Sequence, residues 1–173
     1  MNATTTSEIG TGQPAAVVAA GAAGRIQKFR LLVLAVLCFG MIGTGIELFL
    51  LEHTEDTFQW VPLILLALGL ISAVAFALRG SRTTLRAFQA LMALFIVSGI
   101  TGVYLHYKGN VEFELEMYPS MGGLKLVWEA LRGATPSLAP GTMALFGLIG
   151  LTTTYEHPAG RTGRTGNSLE EVS

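Results

Sequence analysis

Two ionisable residues stand where an apolar chain gives them no ordinary reason to be. Glu47 interrupts the run LLVLAVLCFGMIGTGIELFLL (residues 31–51), and His106 directly follows the run AFQALMALFIVSGITGVYL (residues 87–105). A charge inside a membrane-length apolar segment is costly and marks a functional candidate by default. Each of the two also extends a row of small residues: Gly40, Gly43 and Glu47 in the first run, and Gly99, Gly102 and His106 in the second. If the helices carrying these rows pack through them, the two side chains meet at one end, the carboxylate keeping the imidazole protonated. If they do not, Glu47 bonds a hydroxyl or water near the surface and His106 is solvated.

The other reactive residue types offer less. His53 and Asp56 stand at i, i+3 with Glu52 and Glu55 adjacent. That spacing fits a cation site, but carboxylates capping the next helix explain the same residues. Cys38 lies among apolar residues, as a small inert hydrophobe does. As the single cysteine it excludes an internal disulfide and any CxxC site. Met41, Met92 and Met143 read as packing residues, and His157 as a solvated tail residue. No phosphate loop, HExxH or GxSxG pattern occurs. No histidine lies deep in an apolar run, as internal haem ligation requires. The sequence therefore implies no catalytic residue, no cofactor, no metal and no enzyme.

Composition sets the frame for these residues. Of 173 residues, 51% are hydrophobic and 13% charged, against a globular norm of about 25% charged; the mean hydropathy is +0.54. A soluble domain of this length cannot bury so much apolar surface. The formal net charge of -1 argues against a nucleic-acid binder. Four runs approach the length of about 20 residues that spans a hydrocarbon core of about 30 Å: 31–51, 60–78, 87–105 and 138–155. The last, LAPGTMALFGLIGLTTTY, is the weakest, with Pro140 and Gly141 near its start. Small residues also recur in the second run (Gly69, Ala73, Ala77) and the fourth (Gly147, Gly150, Thr154), and such rows let helix backbones approach closely in lipid. The expected fold is an all-α integral membrane protein, a compact bundle of four transmembrane helices spanning residues 29–155.

Basic residues set the expected orientation. Arg25, Lys28 and Arg30 precede the first span, Arg79, Arg82 and Arg86 join the second to the third, and Arg161 and Arg164 follow the fourth. The opposite side holds only Lys108, Lys125 and Arg132, so both termini are expected in the cytoplasm. The preference for Arg over Lys, with abundant Ala and Gly, fits a bacterial inner-membrane protein. Residues 1–28 read as a disordered tail and 156–173 as a flexible one.

Residues 106–137 form the expected external segment. Val111, Phe113, Leu115 and Met117 alternate with Glu112, Glu114 and Glu116, the period of a half-buried strand. Ser120 is a candidate N-cap for a helix over about 122–132, which places Leu124, Val127, Trp128 and Leu131 on one face. Trp128 is the expected interfacial anchor, with this helix lying flat on the outer surface. The function expected is that of a non-enzymatic accessory or scaffolding subunit, its partners the lipid bilayer and other membrane subunits or a second copy. The alternative is a small ion- or proton-coupled transporter built around Glu47.

Overall fold

The computed structural model describes residues 13–52 and 54–161. Every regular element among them is helical: α1 (Gln13–Leu50), α2 (Trp60–Arg79), α3 (Arg82–Met117), α4 (Gly123–Leu131), α5 (Gly141–Thr154) and α6 (Pro158–Arg161). Three helices, α1, α2 and α3, are long and apolar enough to cross a membrane. Large apolar side chains such as Phe39, Ile71, Leu78, Val97 and Ile100 stand exposed along them, an outward face compatible with a membrane helical bundle. α5 is apolar but has 14 residues, about 21 Å at 1.5 Å per residue. It starts at Gly141 because Pro140 has no N–H to continue a helix from upstream. The chain enters it through three-residue turn bonds, Gly141 N to Leu138 O at 2.9 Å and Met143 N to Pro140 O at 3.0 Å.

Packing closes these helices into a ring. α1 packs on α2, α2 on α3, α3 on α5, and α5 back on α1, so α1 and α3 are diagonal partners. The centre is filled by Leu37 and Met41 of α1, Leu66 and Ala73 of α2, Phe88, Met92 and Phe95 of α3, and Met143 of α5. Phe76 of α2 stacks on Phe88 at 5.3 Å between ring centroids. Glycines set the approach of the helices. A Cβ added at Gly99 would strike the backbone nitrogen of Ala144, and one at Gly147 the carbonyl oxygen of Met92. Gly150 leaves room for the Met92 side chain, and Gly69 for the Phe95 ring. The small-residue rows of the second, third and fourth runs are thus packing surfaces, as close helix association in lipid requires.

Three local expectations need correction. Residues 111–117 are not a strand; they are the last two turns of α3. A helix already nucleated extends at little cost, whereas a lone strand has no partner for its backbone. Glu, Leu and Met also favour the helix, and Lys108 pairs with Glu112 one turn on at 3.4 Å. The residues turned inward here are Asn110, Val111, Glu114 and Leu115, a period of 3.6 rather than 2. Secondly, α1 begins at Gln13 and α6 covers Pro158–Arg161, so residues 13–28 and 158–161 are helix where tails were expected; residues 1–12 and 162–173 lie outside the described residues. Thirdly, the N-cap position of α4 is Gly122, not Ser120, while the helix itself matches its expected extent.

Candidate functional site

Glu47 and His106 sit on diagonal helices. Glu47 is exposed on α1, and His106 is half-buried on α3 with Nδ1 3.2 Å from the carbonyl oxygen of Pro136. No side-chain hydrogen bond or ion pair joins the two among the described residues. The rows that were to bring them together both face α5: Gly40 lies against Phe146, and Gly99 and Gly102 lie against Ala144 and Pro140. Gly43, the step of the row nearest Glu47, faces open space.

Before α2 the backbone of the loop acids is held by the Gln59 side chain. Gln59 Oε1 accepts the backbone N–H groups of Glu55 at 2.8 Å and Asp56 at 3.2 Å, and Trp60 Nε1 donates to Thr54 O at 3.2 Å. His53 lies outside the described residues. Among the described residues no three His, Cys, Asp or Glu side chains gather as metal ligands would.

At one end of the bundle the polar side chains converge on Asn110. The two hydrogens on its Nδ2 are shared among Ala130 O at 2.9 Å, Thr135 O at 2.7 Å and Ser137 Oγ at 2.9 Å. Its Oδ1 accepts from Thr135 Oγ1 at 2.6 Å and Thr135 N at 3.2 Å. Ser137 Oγ in turn donates to Ala130 O at 3.0 Å. Asn110, Ala130 and Ser137 are all buried, so the amide of one residue satisfies the carbonyl end of α4 and the turn after it. The knot needs Gly133, where a Cβ would stand 2.5 Å from Asn110 Cγ. It fixes α4 with Ala130 turned inward and Leu124, Val127, Trp128 and Leu131 turned out, Leu124 88% and Trp128 58% exposed. The Arg132 guanidinium lies 5.9 Å from the Trp128 ring centroid.

At the opposite end the chain after α5 is strapped across α1, α2 and α3. Arg30 Nη2 donates to Tyr155 O at 2.6 Å, Arg82 Nε to Ala159 O at 3.1 Å, and Gln89 Nε2 to Thr154 Oγ1 at 3.1 Å. His157, read from sequence as solvated, is half-buried. Its ring lies 5.0 Å from that of Phe76, and its Nδ1 accepts from Ala159 N at 3.2 Å. Burial, and secondarily the Arg30 charge, hold its pKa below the ordinary 6.5. Between these groups a pocket opens, lined by Gln27, Arg30, Phe76, Gly80, Thr153 and His157, with Leu31 and Leu34 as its apolar wall.

No family model, curated protein or solved structure matches this chain.

Sequence reasoning missed Asn110 and His157. The pair Gly109–Asn110 reads as a turn, and nothing local shows that Asn110 is the hub of contacts up to 27 residues away. For the pocket, one signal was present: Gln27, Arg30, Leu31 and Leu34 share a helical face at i, i+3, i+4 and i+7, once α1 is known to start before residue 27.

Proposed function

We propose that this chain is a small polytopic protein of a bacterial cytoplasmic membrane that works as a non-catalytic accessory or scaffolding subunit. In this reading residues 138–155 supply a fourth span, with α5 as its core, and both termini face the cytoplasm. The closed ring supports the fourth span, since α5 is the helix against which both α1 and α3 pack. The observation that carries the functional reading is α4. The Asn110 knot holds it rigidly to α3 while its apolar row points away from the bundle. A face fixed in orientation and left uncovered by its own chain is what a bilayer-seated scaffold presents to the membrane surface.

The transporter alternative draws less support. Glu47 is exposed on the outside of α1, whereas a coupling carboxylate faces the bundle interior or a water-filled path. Migration on native gels after mild detergent extraction tests the scaffold reading. Discrete assemblies larger than a monomer are expected, and a sharp monomer at every protein concentration overturns it. Reporters test the orientation: one fused after residue 173 is expected to report cytoplasm, and one inserted between Ser120 and Met121, away from the Asn110 knot, the external side.

A further inference from the structure

We propose that the pocket between α1, α2 and the end of α5 binds a phosphate oxyanion, the group carried by the headgroup of an anionic phospholipid. One face of α1 supplies both of its chemistries, a polar rim from Gln27 and Arg30 and an apolar wall from Leu31 and Leu34. The rim is rich in donors. The Arg30 guanidinium offers five N–H groups in a planar fork, and Tyr155 O takes one of them. Because Ala159 N–H donates to His157 Nδ1, the neutral ring carries its proton on Nε2, a further donor. The Gln27 amide adds its NH₂. No carboxylate lines the pocket among the described residues; Glu156, the nearest acid in sequence, is not one of the lining groups.

The surroundings reinforce the charge. Arg25 and Lys28 on α1, Arg79 at the end of α2, and Arg82 and Arg86 at the start of α3 all belong to this end of the bundle. Their combined potential draws anions toward it. The carbonyl ends of α2 and α5 reach the same place and oppose an anion, but each has a local donor: Gly80 N–H bonds Phe76 O at 2.9 Å, and His157 N–H bonds Thr154 O at 3.1 Å. Basic pockets between apolar helices at the headgroup level suit lipid phosphates. A lipid has one advantage over free phosphate here, because its acyl chains can continue along the exposed Leu31 and Leu32 of α1.

The test uses the full chain in neutral detergent at pH 7.5. Its thermal unfolding midpoint is followed while phosphatidylglycerol, phosphatidylcholine or inorganic phosphate is titrated in. Arg30→Gln removes the cation, but it also removes the Tyr155 bond and can weaken the fold. Gln27→Glu therefore serves as the second variant, placing a carboxylate on the rim while keeping the Arg30 side chain. Phosphatidylglycerol is expected to raise the midpoint and phosphatidylcholine not to. Read against its own lipid-free midpoint, Gln27→Glu is expected to need about tenfold more phosphatidylglycerol for the same rise. A rise with inorganic phosphate that displaces the lipid effect also supports an oxyanion site and assigns it to free phosphate. An equal rise with both lipids, or Gln27→Glu titrating as wild type, overturns the proposal and leaves Arg30 as the cap of α5 alone.

Discussion

Asn110 on α3 and Ala130 at the end of α4 are joined by a 2.9 Å hydrogen bond from the Asn110 amide to the Ala130 carbonyl, and both residues are buried. The carbonyls of a helix's last turn have no partner within the helix. A buried one must find a donor elsewhere, and here a side chain from the preceding long helix supplies it. The orientation of α4, and with it the outward row of Leu124, Val127, Trp128 and Leu131, depends on that donor.

Asn110→Ala is therefore expected to free the cap without dissolving the bundle. It removes the donor to the Thr135 carbonyl and leaves the Ala130 carbonyl with the Ser137 hydroxyl alone, a loss of about 1–3 kcal/mol. The thermal midpoint in detergent should fall, and trypsin should cut faster at Lys125 and Arg132. Gly133→Ala should act on the same knot, because its Cβ would stand 2.5 Å from Asn110 Cγ, and the double variant should lose less than the two single losses combined. Wild-type cleavage rates in Asn110→Ala would contradict this account of the cap.

The glycines divide into two kinds, and substitution separates them. Gly147→Ala drives a methyl against the Met92 carbonyl oxygen and Ile96, atoms of a neighbouring backbone that cannot yield cheaply; a loss of about 1–3 kcal/mol is expected. Gly43→Ala meets nothing within 4 Å. Its helix gains the propensity of alanine, about 0.5–1 kcal/mol. Unfolding of both variants in mixed micelles checks the contrast, and equal effects would remove the case that α3 and α5 pack through their glycines.

Which parts of this were legible in the sequence follows from the range of the forces involved. Apolar length marks a membrane helix by itself, so the extents of α2 and of the apolar parts of α1 and α3 were readable, as was the amphipathic α4. The rows of small residues were readable as contact surfaces, but their partners were not. Gly40 and Gly99 carry similar local patterns, and only the three-dimensional order of the ring decides that both face α5. The alternation over 111–117 misled because it lasts only seven residues: in the helix Glu112 and Glu116 are exposed while Glu114 turns inward beside Val111 and Leu115, so the residue types alternate but the faces do not. Asn110 and His157 were invisible because their partners are other segments: a turn 20–27 residues on for the first, Phe76 for the second.

His157 predicts a pH dependence of definite sign. Its folded-state pKa lies below the ordinary 6.5, through burial and then the Arg30 charge. The unfolded chain consequently takes up a proton before the folded one does. Its contribution to stability is complete above about pH 6.5 and is lost as the pH falls from there through the lower folded value. The thermal midpoint of the wild type should drop between pH 7 and pH 5 by more than that of His157→Gln, which cannot titrate. A steeper drop in the variant would contradict the burial of the ring against Phe76.

Glu47 and His106 are expected to be energetically independent. They stand on the diagonal helices of the ring, Glu47 exposed and His106 directed to the Pro136 carbonyl at 3.2 Å. Glu47→Gln removes a charge from an exposed position on the outer turns of α1 and should change the midpoint little. His106→Gln loosens the contact to the turn before α5 and should cost stability by itself, whatever occupies position 47. In a double-mutant cycle read by thermal unfolding near neutral pH, the coupling energy should lie within about 0.3 kcal/mol of zero, as for sites without shared partners. A coupling of about 1 kcal/mol or more, in the range of residues that touch, would show that the two side chains meet in the membrane after all. It would then restore the carboxylate–imidazole pair, and with it the case for an ion-coupled role of Glu47.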